Sequence, residues 1–126
     1  LNCSAERRVW QDYAQRLRIR AESPRQLAGR LSGGTQQKVV IAKWLFCRAR
    51  VFLFDEPARG IDVSAKIEVF ELMDRLARDG AAILMVSSEM QELLQLADRI
   101  LVMRQGRLTA ELPRGASQEE ILRHAV

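Results

Sequence analysis

Three short stretches carry residues able to do chemistry. The first is Leu31-Ser32-Gly33-Gly34-Thr35-Gln36-Gln37, a glycine pair where a helical pattern begins. Glycines let the backbone come close to a ligand, and the N–H groups of a first helical turn favour an anion. The Ser32 hydroxyl adds one more donor. Read blandly, the same residues are a turn feeding a helix. The second stretch is Asp55-Glu56, which ends the apolar run Val51-Phe52-Leu53-Phe54 and precedes Pro57. The carboxyl end of a parallel strand faces the ligand crevice of an open sheet. One carboxylate there can hold Mg²⁺, and its neighbour can orient or deprotonate an attacking water. A helix cap or a loop acid pair is the alternative. The third is Ser87-Ser88-Glu89, whose small hydroxyls suit a phosphate and equally suit capping of the next helix.

These stretches need elements to position them. Residues 4–20 read as a helix, with Val9, Tyr13 and Leu17 at helical spacing and Trp10 beside them. Ser23-Pro24 and Gly29 break the pattern. A second helix runs from Gly34 to about Cys47, with Val40, Trp44 and Cys47 on one stripe and Val39, Lys43 and Phe46 beside it. Val51–Phe54 is apolar on both faces and predicts a buried parallel strand. Asp62 to Asp79 reads as an amphipathic helix with Val63, Ile67, Phe70 and Leu76 or Ala77 inward, ended by Gly80. Its outer side carries the i,i+4 pairs Glu71/Arg75 and Asp74/Arg78. Ala81–Val86 predicts a second buried strand, and Ser88 with Gln91 a capping box for the helix after it. Arg99–Met103 and Arg107–Leu112 flank Gln105-Gly106 as a hairpin, and Ser117 with Glu120 caps a last helix. The order is that of an α/β fold built on parallel crossovers.

Composition sets the outer bounds. A chain of 126 residues that is 48% hydrophobic and 29% charged makes one domain at most, and is no collagen, disulfide scaffold or disordered tail. No run approaches the ~20 apolar residues of a membrane span. Leu1 to Arg8 lack the apolar core of a secretion signal, and with no Met at position 1 the chain is expected to begin inside a longer one. Cys3 and Cys47 are too few for a disulfide framework, which points to a reducing, cytosolic setting. Arginine supplies 17 of the 20 basic residues, but 16 acidic residues are interleaved with them, so the net +4 reads as an ordinary solvated surface. The single histidine, His124, sits near the end of the chain and reads as solvated.

Together, in this order and spacing, the three stretches resemble the C-terminal part of the ATPase domain of an ABC transporter. Leu31-Ser32-Gly33-Gly34 is similar to the family's signature motif, Val51 to Glu56 to its Walker B strand, and Arg59-Gly60-Ile61-Asp62 to its D-loop. The strand Ala81–Val86 leads to its switch position. The resemblance covers about Arg25 to Leu122, with residues 1–24 fitting only loosely. Finer features resemble the ATP-binding subunits of ribose-, galactose- and xylose-type importers, which carry two ATPase domains in one chain. Thr35-Gln36-Gln37-Lys38-Val39-Val40-Ile41-Ala42-Lys43-Trp44-Leu45 is similar to their second domain, with Thr35 where Asn is usual. Asp55 to Asp62 follows their pattern with Ala58 for a usual Thr, and Val86-Ser87-Ser88-Glu89-Met90 matches too. Most ABC ATPases place a histidine where this chain has Ser88.

The resemblance implies a P-loop NTPase partial domain of α/β class. Residues 1–48 would be part of the helical subdomain; residues 49–126 would be the C-terminal part of the RecA-like core with its hairpin. It implies ATP and Mg²⁺ as cofactors, with Asp55 on the metal and Glu56 as general base. Ser32, Gly33, Gly34, Gln36, Asp62 and Ser88 would contact nucleotide. Two such domains would pair head to tail, Ser32, Gly33 and Gly34 acting on the partner's ATP while Asp62 couples the two sites. Transmembrane permease subunits and, indirectly, a periplasmic sugar-binding protein would be the other partners, on the cytoplasmic face of the inner membrane, with no nucleic acid. None of the seven glycines forms G-x-x-x-x-G-K-[ST], the backbone cradle for the β- and γ-phosphates. Two rival readings stand beside this one. One is a non-transport ABC ATPase using Arg16, Arg18, Arg20, Arg25 and Arg30 on nucleic acid. The other is an inactive truncated remnant.

Overall fold

The computed structural model describes residues 3–126, so Leu1 and Asn2, where the search for a secretion signal begins, lie outside the described residues. The elements are α1 (Cys3–Arg16), α2 (Gly33–Phe46), β1 (Val51–Asp55), α3 (Val63–Arg78), β2 (Ala82–Val86), α4 (Met90–Leu96), β3 (Arg99–Arg104), β4 (Arg107–Pro113) and α5 (Gln118–Ala125), with a 3-10 turn at Ala28–Arg30. They fall into two compact units, residues 3–85 and 86–126. Among the described residues no helix is long and apolar enough to cross a membrane.

In the first unit β1 and β2 are neighbours in a two-stranded sheet. The Ala82 N–H donates to the Arg50 carbonyl at 2.8 Å, which sets the strands start to start and parallel, with α3 as the crossover. The core joins Leu17, Ile41, Phe52, Leu72 and Leu76, with Tyr13, Ile19, Phe54 and Ile83 packed against it. Phe52 and Phe54, two apart on one strand face, stack at 6.0 Å and 9°.

The expectation that both strands are buried on both faces is corrected here. Phe52 and Phe54 face the core, whereas Val51 is 65% and Leu53 75% exposed. Leu84 and Val86 of β2 are likewise more than half exposed. The residues are apolar on both faces, as a central strand requires, but the helices of these 126 residues cover one face only.

Helix ends were the least legible feature. α1 stops at Arg16 rather than running to residue 20, because Arg18 takes a left-handed φ of 52°. The Ile19 N–H then donates to the Ala14 carbonyl at 2.8 Å and Arg18 to Gln15 at 3.3 Å, which satisfies the last carbonyls. α2 ends in the same way at Arg48, and α3 at Gly80, where glycine adopts that φ without cost. Only the third carries its usual sequence marker.

α3 also turns differently from the expectation. Val69, Phe70, Leu72, Met73 and Leu76 are buried, while Val63 and Ile67 are 75% and 54% exposed. The helix packs through Ala65, Val69, Leu72 and Leu76, which puts Val63 and Ile67 on its outer flank. Asp74 and Arg78 pair there at 2.7 Å.

The second unit has its own core of Ile100, Val102, Leu112, Ala116 and Ile121, closed by Met90, Leu93 and Leu94. The hairpin forms as expected: Gln105 and Gly106 both have positive φ, 49° and 76°, the pair a tight two-residue turn needs. The register slips between Val102 and Met103, leaving Thr109 unmatched on β4. Its hydroxyl lies 3.1 Å from the Val102 carbonyl and 2.9 Å from that of His124, so the extra residue fastens the end of α5. Ser117 caps α5 as expected, accepting from the Glu120 N–H at 3.1 Å. α4 starts at Met90 with Glu89, not Ser88, at its N-cap, and Ser87 accepts from the Glu89 N–H at 3.0 Å.

The open sheet face generates a prediction. Leu53→Thr with Leu84→Thr keeps β-propensity and removes apolar surface. In the isolated 126-residue chain, this pair should lower binding of a hydrophobic dye and concentration-dependent light scattering. Unchanged dye binding and scattering would mean that this face is covered in solution.

Candidate functional site

The first turn of α2 is preceded by Ser32, whose backbone is extended and whose side chain makes no capping bond. Its hydroxyl donates to the Thr35 hydroxyl at 2.9 Å. The first N–H groups of α2 therefore have neither an intrahelical acceptor nor a serine cap. Gln36 turns away, donating from Nε2 to the Leu31 carbonyl at 2.8 Å and so bracing the loop from behind. Gln37 donates to the Pro57 carbonyl at 2.9 Å, which ties α2 to the loop after Glu56.

The glycine pair does more than open the backbone to a ligand. A Cβ on Gly34 would lie 2.4 Å from the Ala65 Cβ, and one on Gly33 would lie 2.9 Å from Ile61 Cγ2. Gly34 is buried, so the pair lets α2 meet α3 and the turn before it at backbone distance. Asp62, in that turn, is the N-cap of α3. Its carboxylate accepts from the Ser64 hydroxyl at 2.6 Å and the Ala65 N–H at 2.9 Å. These bonds, the Ser64 hydroxyl foremost, hold the Asp62 carboxyl below its ordinary pKa.

Ser32, Gly34 and Asp62 thus share one polar pocket of about 220 Å³, which Arg20, Arg30 and Glu68 also line. Asp55 is the exposed last residue of β1. Glu56 follows in a left-handed conformation, φ 48°, with its carbonyl accepting from the Arg59 N–H at 3.1 Å. A non-glycine residue held there costs about 1–3 kcal/mol, and such strain collects at functional sites. Ser88 belongs to the second unit, where Ser87 donates to the buried Glu92 carboxylate at 2.5 Å.

Sequence reading missed Lys38. It is 3% exposed, on the inward stripe with Gly34, Thr35 and Ile41. Its ammonium pairs with Glu68 Oε2 on α3 and donates to the Arg18 carbonyl at 3.3 Å. Arg20 reaches the other Glu68 oxygen at 3.3 Å. The available signal was a pair of opposite charges, each interrupting an inward stripe of adjacent helices. Of the five arginines considered for nucleic acid, Arg20 is engaged here and Arg16 pairs with Asp12 at 3.4 Å.

Comparison with known proteins places this arrangement. Residues 3–59 match the ABC transporter family. A ribose import ATP-binding protein of Rubrobacter xylanophilus is 53% identical over 112 residues, 88% of this chain and 22% of its own. The chain belongs to the ABC-transporter ATP-binding family. A ribose import ATP-binding protein of Jannaschia is 49% identical over 126 residues, covering 99% of this chain and 24% of its own. A nucleotide-free ATP-binding cassette from an ABC transporter superposes with a TM-score of 0.76 at 25% identity, over 93% of this chain and 45% of that one. The chain thus spans about a quarter of the curated relatives it matches and has the fold of an ATP-binding cassette over that part. The match begins at Cys3, so the first helix, expected to fit only loosely, belongs to the likeness.

Two predictions follow from the geometry. Gly34→Ala should destabilise the fold by about 1–3 kcal/mol, the usual cost of overpacking, despite alanine's better helix propensity. Adding Ala65→Gly should recover part of it in denaturant melts. Glu68 is held below its ordinary pKa of 4.5, first by its bond to Lys38, with Lys38, Arg20 and Arg18 adding charge and partial burial opposing. A depressed acid contributes stability that is full above its unfolded pKa and lost as pH falls through the folded one. The midpoint of thermal unfolding should therefore fall below about pH 4.5, and less so in Glu68→Gln.

Proposed function

We propose that this chain supplies the signature motif and part of the catalytic core of an ABC ATPase that energises carbohydrate import. The observation carrying this reading is Ser32-Gly33-Gly34 at an uncapped helix start, packed directly against the Asp62 turn. The names of the Rubrobacter and Jannaschia relatives, both ribose import ATP-binding proteins, support the sugar class.

In this reading two ATPase domains pair head to tail. The first-turn N–H groups of α2, with Ser32, Gly33 and Gly34, act on the γ-phosphate of an ATP held by the partner domain, while Gln36, turned to the Leu31 carbonyl, braces the loop. Developing negative charge at a helix start meets fixed dipoles that need no reorganisation. Asp62 lies beside them and couples the two sites. On the chain's own side Glu56 orients or deprotonates the attacking water, and its strained backbone fixes the carboxylate at the strand end.

Magnesium is held by one or two carboxylates together with substrate phosphates. An exposed Asp55 at the end of β1 fits one such donor; among the described residues no cluster of three side-chain ligands could hold a metal by itself. When bound, the ion offsets charge on the phosphates. Ser88 stands in the switch position, where a serine offers neither the charge nor the reach of histidine. The two sites of the pair are then unequal, and this chain's stronger contribution is its signature. It docks peripherally on permease subunits at the cytoplasmic face of the inner membrane, with a periplasmic sugar-binding protein upstream. Without a phosphate-loop sequence, the 126 residues alone are not expected to hydrolyse ATP.

The test grafts these residues in place of the matching quarter of the Jannaschia protein, assembled with its permease. Ser32→Arg should reduce ATP hydrolysis at least 100-fold, and Glu56→Gln should cost clearly less. Equal losses would overturn the asymmetry, and full activity in Ser32→Arg would overturn the signature assignment.

A further inference from the structure

The buried ammonium of Lys38 does more than hold the helices together. An apolar pair of similar volume would pack α2 against α3 as well or better, since two charges must first be taken from water. What it provides is a set of fixed distances. Lys38 Nζ is bonded to Glu68 on α3 and to the Arg18 carbonyl in the turn after α1, 3.3 Å away. Arg20, from that same turn, returns to the second Glu68 oxygen at 3.3 Å. The turn, α2 and α3 are thereby closed into one ring of contacts. Arg18 itself is left-handed at φ 52° without being glycine, and its carbonyl is the one the ammonium holds.

Gly34 and Lys38 lie one helical turn apart on the same face of α2. The Gly34–Ala65 contact sets how close the two helices come, but a contact between a backbone and a methyl group permits sliding and rolling. A charged pair with a third, carbonyl partner does not. Glu68 also lines the pocket that Ser32, Gly34 and Asp62 share. The ring therefore sits beneath the residues that must present donors to a phosphate.

We propose that Lys38 is a positioning residue that, through Glu68 and the Arg18 carbonyl, fixes the rotation and height of α2 so that the first turn at Ser32–Gln36 meets nucleotide in register with Asp62. The nucleotide part rests on the function proposed above; the positioning part does not.

The experiment uses the same Jannaschia graft and compares the parent, Lys38→Arg and the double variant Lys38→Met/Glu68→Leu, which removes both charges and leaves an apolar contact. Two quantities are read, ATP turnover per folded molecule and amide hydrogen exchange at residues 36–39, the first hydrogen-bonded amides of α2. In the double variant, exchange at these amides should accelerate at least tenfold and kcat fall at least tenfold. KM for ATP should stay within about threefold of the parent, because the partner's phosphate loop is untouched. Lys38→Arg, which keeps the charge and the donors, should retain most of the turnover. Parental exchange in a folded double variant overturns the inference whatever the turnover. Faster exchange with parental kcat supports positioning and counts instead against the signature's role in hydrolysis. A double variant that melts far below the parent while exchange at 36–39 rises no more than elsewhere assigns Lys38 to stability alone, and also overturns it.

Discussion

The first unit depends on how closely α2 and α3 approach. Two helices packed through ordinary side chains keep their axes about 8–10 Å apart, and the close end of this pair is set by a residue with no side chain at all. Gly34 against Ala65 brings the start of α2 to the turn that carries Asp62. The cap of one helix and the uncapped start of the other thus become parts of a single surface. Every other feature there takes its place from that contact: Gln37 reaching Pro57, Ser32 facing Asp62 across the pocket, and Lys38 finding Glu68 one turn further on. The glycine that the proposed function sets against a phosphate is first required by the protein's own backbone.

Much of this was legible in the residues, and the exceptions have physical causes. Gln105-Gly106 and Ser117 with Glu120 announce their turn and cap because the geometry there depends on local chemistry alone. Arg18 and Arg48 end helices without glycine, so nothing in the sequence marks the stop, and at Arg18 the carbonyl is held by Lys38 from another helix. Val63 and Ile67 look inward by spacing, but the rotation of α3 follows the small residue Ala65 that faces Gly34, and a stripe centred there excludes them. Lys38 was invisible as a buried group because a charged residue among apolar ones is ordinarily the solvated one, and its partner is 30 residues away. The resemblance of Leu31 to Gly34 to a signature motif rests on order and spacing, not on distinctive chemistry in any one of them.

The sheet states the relation between this chain and its longer relatives in structural terms. β1 and β2 have the apolar character of central strands and, here, one covered face. Their unpartnered side chains begin at Val51 and run to the edge of Asp55, so the acidic strand end and the bare apolar surface are continuous. A site whose strand is half covered has its carboxylates in a wetter, higher-dielectric setting than a closed cassette would give them. That fits the proposal that the turn at Ser32–Gly34, which lies on helices, contributes more than the strand-end carboxylates.

The division into two units, each with its own core, has an optical consequence. Trp10, Tyr13, Trp44, Phe46, Phe52, Phe54 and Phe70 all lie in the first unit, and residues 86–126 contain no Trp, Tyr or Phe. Intrinsic fluorescence and near-ultraviolet dichroism therefore report the signature-bearing unit alone, while the hairpin and its helices contribute only to the peptide signal in the far ultraviolet. Where those two signals part company on heating or in denaturant, the difference is a direct reading of whether the units unfold as one body or as two.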